Sequence, residues 1–197
     1  MPMSIQPIVL VGGQSQRFGR DKLREPVSRD GEEWLVDRPI AALRAVFGPC
    51  VALVGACDRS IAARADLVIE DHYPACGPAG GILSALEQCP GDVFVLAGDL
   101  PHMSATVVQH ILNEAQLRPR SAVWAVLADA DGLHPCIGLY RQVLRRRLAE
   151  RLAAGVASLH DLTPAAHVHR VVIERRAATN VNTQNDWRAA DLRLRSQ

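Results

Sequence analysis

Residues Val9–Lys22 read VLVGGQSQRFGRDK. The apolar run begins at Ile8, stops after Val11 at the pair Gly12-Gly13, and gives way to polar and basic residues, a third glycine at 19, and then Asp21 and Lys22. A short apolar run closed by glycines reads as a buried strand. Gly12 and Gly13 allow the main chain behind that strand to approach a flat or anionic ligand and to turn its N–H groups inward. Arg17, Arg20 and Lys22 add positive charge. The loop is not a Walker A loop, since no G-x-x-x-x-G-K-[ST] is present, and the glycine spacing is not G-x-G-x-x-G. A triphosphate suits it best. An ordinary strand-to-helix turn with solvated basic residues is the alternative from this stretch alone.

Six further apolar runs follow the first: Cys50–Val54, Asp66–Ile69, Val93–Ala97, Ala122–Ala128, Cys136–Tyr140 and Val168–Ile173. Segments of helical period separate most of them. WLVDRPIAALRAVF brings Leu35, Ile40, Leu43, Val46 and Phe47 near one face, with Pro39 delaying or kinking the start. AGGILSALEQC and SATVVQHILNEAQL are similar, and Ser104 has the chemistry of an N-cap for the second. YRQVLRRRLAERLAAG is amphipathic and is ended by Gly155. The alternation predicts an α/β fold, with a mainly parallel central sheet covered by helices on both faces. LADADGLHP reads as a hairpin turn, so later strands are open to an antiparallel direction. At 197 residues the chain is expected to be one domain.

Composition narrows the function classes. The formal net charge is +1, with 22% charged residues. That balance argues against a general nucleic-acid or membrane-surface binder, which needs a large basic excess. No apolar segment approaches the roughly 20 residues of a spanning helix, and the N-terminal residues lack the basic region of a signal peptide. The five cysteines are irregularly spaced without a C-x-x-C, so reduced thiols in a cytoplasm are the expectation.

In an open α/β sheet, ligands collect beyond the carboxyl ends of the strands. AGDLP, Ala97–Pro101, places Asp99 just after a buried run, where a carboxylate can hold Mg²⁺ or merely brace a turn. EDHYPACGPAGGI supplies Glu70 and Asp71, and the run Gly77-Pro78-Ala79-Gly80-Gly81 offers bare backbone at a helix N-terminus, suited to a base or ribose. TNVNT carries Asn180 and Asn182 two apart, on one side of an extended segment. Those amides suit a phosphate or a second substrate, or tie down the chain before the last helix.

Taken in order, these motifs resemble the MobA-like nucleotidyltransferase family that acts on the molybdenum cofactor. LVGGQSQRFGRDK resembles its L-A-G-G-x-S-x-R-M-G-x-D-K signature, EDHYPACGPAGGILSAL its E-D…G-P-L-A-G-I segment, and AGDLP its C-D-x-P. HPCIGLY resembles H-P-x-x-A-L-Y, and NVNTQNDW resembles N-x-N-T-P-E-D-L. The resemblance spans about residues 8 to 187 and is nearest to the guanylyltransferases.

It implies a Rossmann-like nucleotidyltransferase fold and transfer of GMP from GTP to the phosphate of molybdopterin, with release of pyrophosphate and Mg²⁺ as cofactor. Carried over position by position, Leu10, Gly12, Gly13, Gly77 and Pro78 line the nucleotide, and Asp71 contacts the nucleoside. Lys22 and Arg17 neutralise phosphates, Asp99 holds Mg²⁺, and Asn180 and Asn182 lie near the pterin. GTP and molybdopterin are the implied partners, with molybdoenzymes or their chaperones as further ones. The glycine pair at 12–13 favours a purine.

The sequence departs from the family at VGACD, Val54–Asp58, where an asparagine-bearing V-N-A-N segment is expected. A sister enzyme using CTP or a sugar phosphate, or a non-catalytic nucleotide-binding protein, therefore stays open. No Ser-His-Asp or Cys-His arrangement is evident. His167 and His169 could share a strand face but lack a third metal ligand nearby. His134 reads as a turn or substrate-side residue. Arg145–Arg147 read as a solvated helix face, with the pterin or a partner as alternative contacts.

Overall fold

The computed structural model describes residues 4–12, 21–27, 31–162 and 165–194. Gly13, Arg17 and Arg20 of the predicted phosphate loop lie outside them. Within the described residues seven strands form one sheet: β1 (Ile5–Leu10), β2 (Ala52–Val54), β3 (Leu67–Ile69), β4 (Asp92–Ala97), β5 (Ala125–Asp129), β6 (Leu133–Tyr140) and β7 (Val168–Val172). Their order is β3-β2-β1-β4-β6-β5-β7. All neighbours pair in parallel except β6, which is antiparallel to both β4 and β5. The expected hairpin is therefore present. Its turn carries Asp131 at φ 59° and Gly132 at φ 135°, backbone that Asp and Gly tolerate.

Helices cover both faces. On one lie α1 (Asp37–Phe47) and α4 (Ala105–Gln116), and their apolar residues join Val9, Leu53, Phe94 and Leu96 in one core. On the other lie α3 (Gly77–Gln88) and α5 (Leu144–Ala153), packed on Ile8, Ala52, Val95 and Leu127. Alternate residues of each strand thus feed opposite cores, as period two requires. Ser104 does cap α4, its side chain accepting from the Val107 N–H. α5 ends through Gly155 at φ 78°, whose N–H donates to Leu152 O. The short helices α2 (Arg59–Ala62) and α6 (Leu159–Leu162) sit in connections, and α7 (Gln184–Leu194) closes the described chain.

Local differences from the sequence expectation have packing causes. Trp34 is not helical: it forms an isolated bridge with Pro26, and the Arg64 guanidinium lies over its ring at 3.9 Å. α3 starts earlier than its apolar pattern suggests, at Gly77, so Gly80 and Gly81 are buried inside it rather than bare at its end. A Cβ on Gly80 would lie 2.8 Å from the Tyr73 Cβ and closer to the Tyr73 carbonyl, so this glycine serves close packing. Among the described residues, no helix is long and apolar enough to cross a membrane.

Candidate active site

The first site element is the end of β1. Val11 N–H donates to Val54 O and Gly98 N–H donates to Leu10 O, each at 3.0 Å. These bonds splice the exits of β1, β2 and β4 into one rim, with Gly12 at its edge. Beyond β4, Asp99 is 8% exposed, a buried carboxylate that needs partners.

Its partners arrive from two distant segments. Lys22 opens a 3-10 turn, Lys22–Arg24, capped by Asp21, whose Oδ1 accepts from Leu23 N–H. Leu23 is buried, and the following chain pairs with residues 33–36 through Leu35 N–H to Glu25 O and Val36 N–H to Leu23 O. The turn is thereby fixed so that Lys22 Nζ lies 2.6 Å from Asp99 Oδ2. From the other side, Val181 N–H donates to the Asp99 backbone carbonyl at 3.0 Å. That bond sets the two flanking asparagines. Asn180 Nδ2 donates to Asp99 Oδ1 at 2.9 Å, and Asn182 Oδ1 accepts from Lys22 Nζ at 3.1 Å.

Four residues singled out from sequence thus form one hydrogen-bonded cluster. The two asparagines do address the same side of their segment, as period two predicts. Their target is the Lys22–Asp99 pair.

Two cavities adjoin at this rim. The smaller, about 220 Å³, is bordered by Lys22, Asp99, Asn180 and Cys136. The larger, about 380 Å³, is bordered by Gly55, Ala56, Asp71 and Gly77. Leu10, Gly12 and Pro78 line both. Asp71 is held in place, its Oδ1 accepting from Tyr73 N–H at 2.9 Å and lying 3.1 Å from Ser84 Oγ.

Sequence reasoning missed several contributors. Ser84 is a fully buried hydroxyl on an apolar helix face, and that incongruity was its signal. Asp186 lies three residues after Thr183, the spacing of a capping box. Its carboxylate accepts from the N–H groups of Asn182 and Thr183 at 3.0 and 2.8 Å, while its own N–H donates to Thr183 Oγ1. Burial would raise the Asp186 carboxyl. The Thr183 side chain, the two amides and the Lys22 charge nevertheless hold it below the usual range. Cys136 borders the smaller cavity, and burial, aided by Asp99, pushes its thiol up to about 12. It is a neutral thiol there.

Other candidates find structural partners. His167 stacks on Trp124 with ring centroids 3.7 Å apart, and His169 Nε2 is 3.0 Å from Glu114 Oε2, so the two do not converge. His134 Nε2 pairs with Ala130 O at 3.0 Å across the hairpin turn. Tyr140 aligns with Val93 and Ala125, the amino ends of β4 and β5. α5 therefore begins at the rim opposite Asp99, and Arg145–Arg147 are carried away from this cluster.

The donor chemistry accommodates a hard divalent cation. The buried Asp99 carboxylate is hard-oxygen in character, and the position already tolerates a cation, the Lys22 ammonium. Among the described residues no group of three His, Cys, Asp or Glu forms a closed metal cage. Water and substrate phosphates would then complete a magnesium-like shell.

A family model for the MobA-like NTP transferase domain matches residues 7–171. A protein of Mycobacterium avium (strain 104) named probable molybdenum cofactor guanylyltransferase is 29% identical over 192 residues, covering 95% of each chain. In structure, the chain is similar to molybdopterin-guanine dinucleotide biosynthesis protein A from Archaeoglobus fulgidus. That likeness has a TM-score of 0.76 at 20% identity, over 97% of this chain and 99% of that one. It is also similar to Rv0371C of Mycobacterium tuberculosis H37Rv, solved in complex with manganese. There the TM-score is 0.68 at 16% identity, over 96% and 98% of the two chains.

Proposed function

Because the chain belongs to the MobA-like NTP transferase family and is a nucleotidyltransferase, we propose that it transfers GMP from GTP to the terminal phosphate of molybdopterin. A molybdopterin phosphate oxygen forms a bond to the α-phosphorus of GTP. The bond from that phosphorus to the bridging oxygen breaks, and its electron pair leaves with pyrophosphate. The observation that carries the reading is the Lys22–Asp99–Asn180–Asn182 cluster beside a cavity that adjoins a second one at Leu10, Gly12 and Pro78.

In this reading the larger cavity takes the guanosine and the smaller one the phosphates. Gly12 leaves the shared wall without a side chain, and a Cβ there would already sit 3.3 Å from Gly55 Cα. A bulkier residue would press on a purine. Asp71 contacts the nucleoside, and Gly77 and Pro78 border it. Gly13 and Arg17, outside the described residues, are assigned to the phosphates by the family resemblance alone.

The attacking phosphate is already anionic at neutral pH, so no general base is required. The obstacle is charge repulsion, which alignment and fixed positive charge overcome. Lys22 neutralises the leaving pyrophosphate, while Asn180 and Asn182 orient the phosphate groups on the acceptor side. Asp99 would hold Mg²⁺, which when bound supplies charge stabilisation at the transferring phosphoryl group. The manganese of the Mycobacterium tuberculosis relative supports a divalent cation. Free thiols at all five cysteines suit a reducing cytoplasm. Molybdoenzymes or their chaperones would use the product.

The test is incubation with GTP, molybdopterin and Mg²⁺, followed by mass analysis. The expected products are the guanine dinucleotide and pyrophosphate, with the rate reduced about 100-fold or more in Asp99→Asn. Gly55 and Ala56 bring no hydrogen-bonding side chain to the larger cavity, so CTP, UTP and ATP belong in the same assay. A preference for CTP would make this a sister enzyme. GTP binding without pyrophosphate release would make it a carrier.

A further inference from the structure

Asp99 has two carboxylate oxygens, and both are engaged by side chains of the chain itself. Lys22 Nζ holds Oδ2 at 2.6 Å and Asn180 Nδ2 holds Oδ1 at 2.9 Å. A magnesium-like ion sits roughly 2.0–2.1 Å from its oxygen ligands. Such an ion on Oδ2, beside an ammonium group hydrogen-bonded to the same atom, would bring two positive charges within a few ångströms of each other. Two cations would compete for one carboxylate, with side chains only 18% and 12% exposed and little water to screen them.

Lys22 has a second contact that survives its departure from Asp99, the neutral Asn182 Oδ1 at 3.1 Å. Asn182 is in turn fixed by Asp186 through its N–H. The lysine can therefore pivot on Asn182 once another anion is offered. A triphosphate is such an anion, and it brings its own metal ion.

We propose that Lys22 is a built-in stand-in for the divalent cation, so that the site takes the metal only as a metal–triphosphate chelate. Free metal competes with Lys22 for Asp99, and a displaced Lys22 keeps only the neutral Asn182 contact and the longer-range attraction of Asp186. The chelate supplies the phosphates to which Lys22 transfers as the metal takes its place. This rests on the metal and triphosphate assignments above. It adds an order of events: cation and nucleotide enter together, and a metal ion alone is held off by the protein's own lysine.

The consequence is a pair of effects with opposite signs in one variant. Lys22→Met should bind free Mn²⁺ more tightly than wild type, by about tenfold or more, the usual worth of a charge-assisted hydrogen bond. The same variant should bind GTP with Mn²⁺ more weakly. Mn²⁺ binding is read by electron paramagnetic resonance and GTP binding by calorimetry, neither of which needs turnover. Lys22→Gln, with a polar side chain, provides a second variant, and Lys22→Met combined with Asp99→Asn should lose the gained Mn²⁺ site. Unchanged or weaker binding of free Mn²⁺ in both lysine variants overturns the proposal. Loss of the sign reversal, with wild type binding free Mn²⁺ as tightly as Mn²⁺ with GTP, overturns it too. If wild type binds no GTP at all, the functional reading fails instead, and the Mn²⁺ titrations still judge the lysine.

Discussion

Gly55→Ala probes the contact by which the exit of β2 shapes the cleft. Gly55 has φ 115°, in the left-handed region, and a Cβ there would fall 2.7 Å from Gly12 Cα and nearer still to the Gly12 nitrogen. Two costs add. The backbone conformation costs an alanine about 1–2 kcal/mol. The overlap is with main chain, which cannot rotate aside, and overpacking of that kind costs about 1–3 kcal/mol. Together they amount to about 2–5 kcal/mol, or a melting temperature lowered by about 4–20 °C for a chain of this size. Gly155→Ala is the control. It shares a positive φ of 78°, but nothing lies within 4 Å of its Cβ. Only the first cost applies, about 2–8 °C. The two variants also separate in function. Relieving the clash at position 55 displaces Gly12, which lines both cavities, so GTP affinity should fall in Gly55→Ala and stay at the wild-type value in Gly155→Ala. Melting followed by circular dichroism, with calorimetric titration of GTP and Mg²⁺, measures both. If Gly55→Ala melts no lower than Gly155→Ala and binds GTP like wild type, the Gly12–Gly55 contact does not shape the site.

Ser84→Ala removes the buried hydroxyl that accepts from His72 N–H and lies beside Asp71 Oδ1. It should cost about 1–3 kcal/mol in urea denaturation and weaken GTP binding through Asp71; an unchanged denaturation midpoint would remove Ser84 from that role. Cys136, with its thiol pushed up to about 12, should resist iodoacetamide at pH 8 in the folded protein and react after unfolding, as peptide mass analysis would report. Asp186 has a folded-state carboxyl lowered relative to the unfolded chain. Its stabilisation is therefore present above the ordinary carboxylate range and lost as pH falls through the folded value. The stability gap between wild type and Asp186→Ala, read from denaturation midpoints, should be widest near neutrality and narrow on acidification; a gap independent of pH would refute the charged cap.

What could be read from the chain before its fold depended on how local the cause was. Apolar runs placed all seven strands; burial on both faces gives the inner strands β2 and β4 their continuous hydrophobic signature, whereas the edge strands β3 and β7 were legible although partly exposed. The rule that ligands gather at strand exits then brought together residues far apart in sequence: Lys22 and Asp99, separated by 77 positions, meet at 2.6 Å. The period of two correctly paired Asn180 with Asn182, but their target was set by the backbone bond from Val181 to Asp99, a tertiary contact with no local signature. Glycines show the same limit from the other direction. Gly12, Gly55 and Gly80 look alike in a sequence, yet Gly12 borders the cavities, Gly55 makes room for Gly12, and Gly80 makes room for Tyr73. Only the neighbouring backbone distinguishes them. The histidines at 167 and 169 share a period but not an environment, because His167 precedes β7 in a 3-10 turn and stacks on Trp124. Asp186 is the instructive intermediate. The T-x-x-D spacing is a local helix-cap signal that was missed, and its bearing on the site appears only when the same turn is seen to aim Asn182 at Lys22. The device that caps the helix and the one that sets Asn182 beside Lys22 are here the same three hydrogen bonds, and for that reason the charge of Asp186 should register both in acid titration of stability and in the position of Lys22.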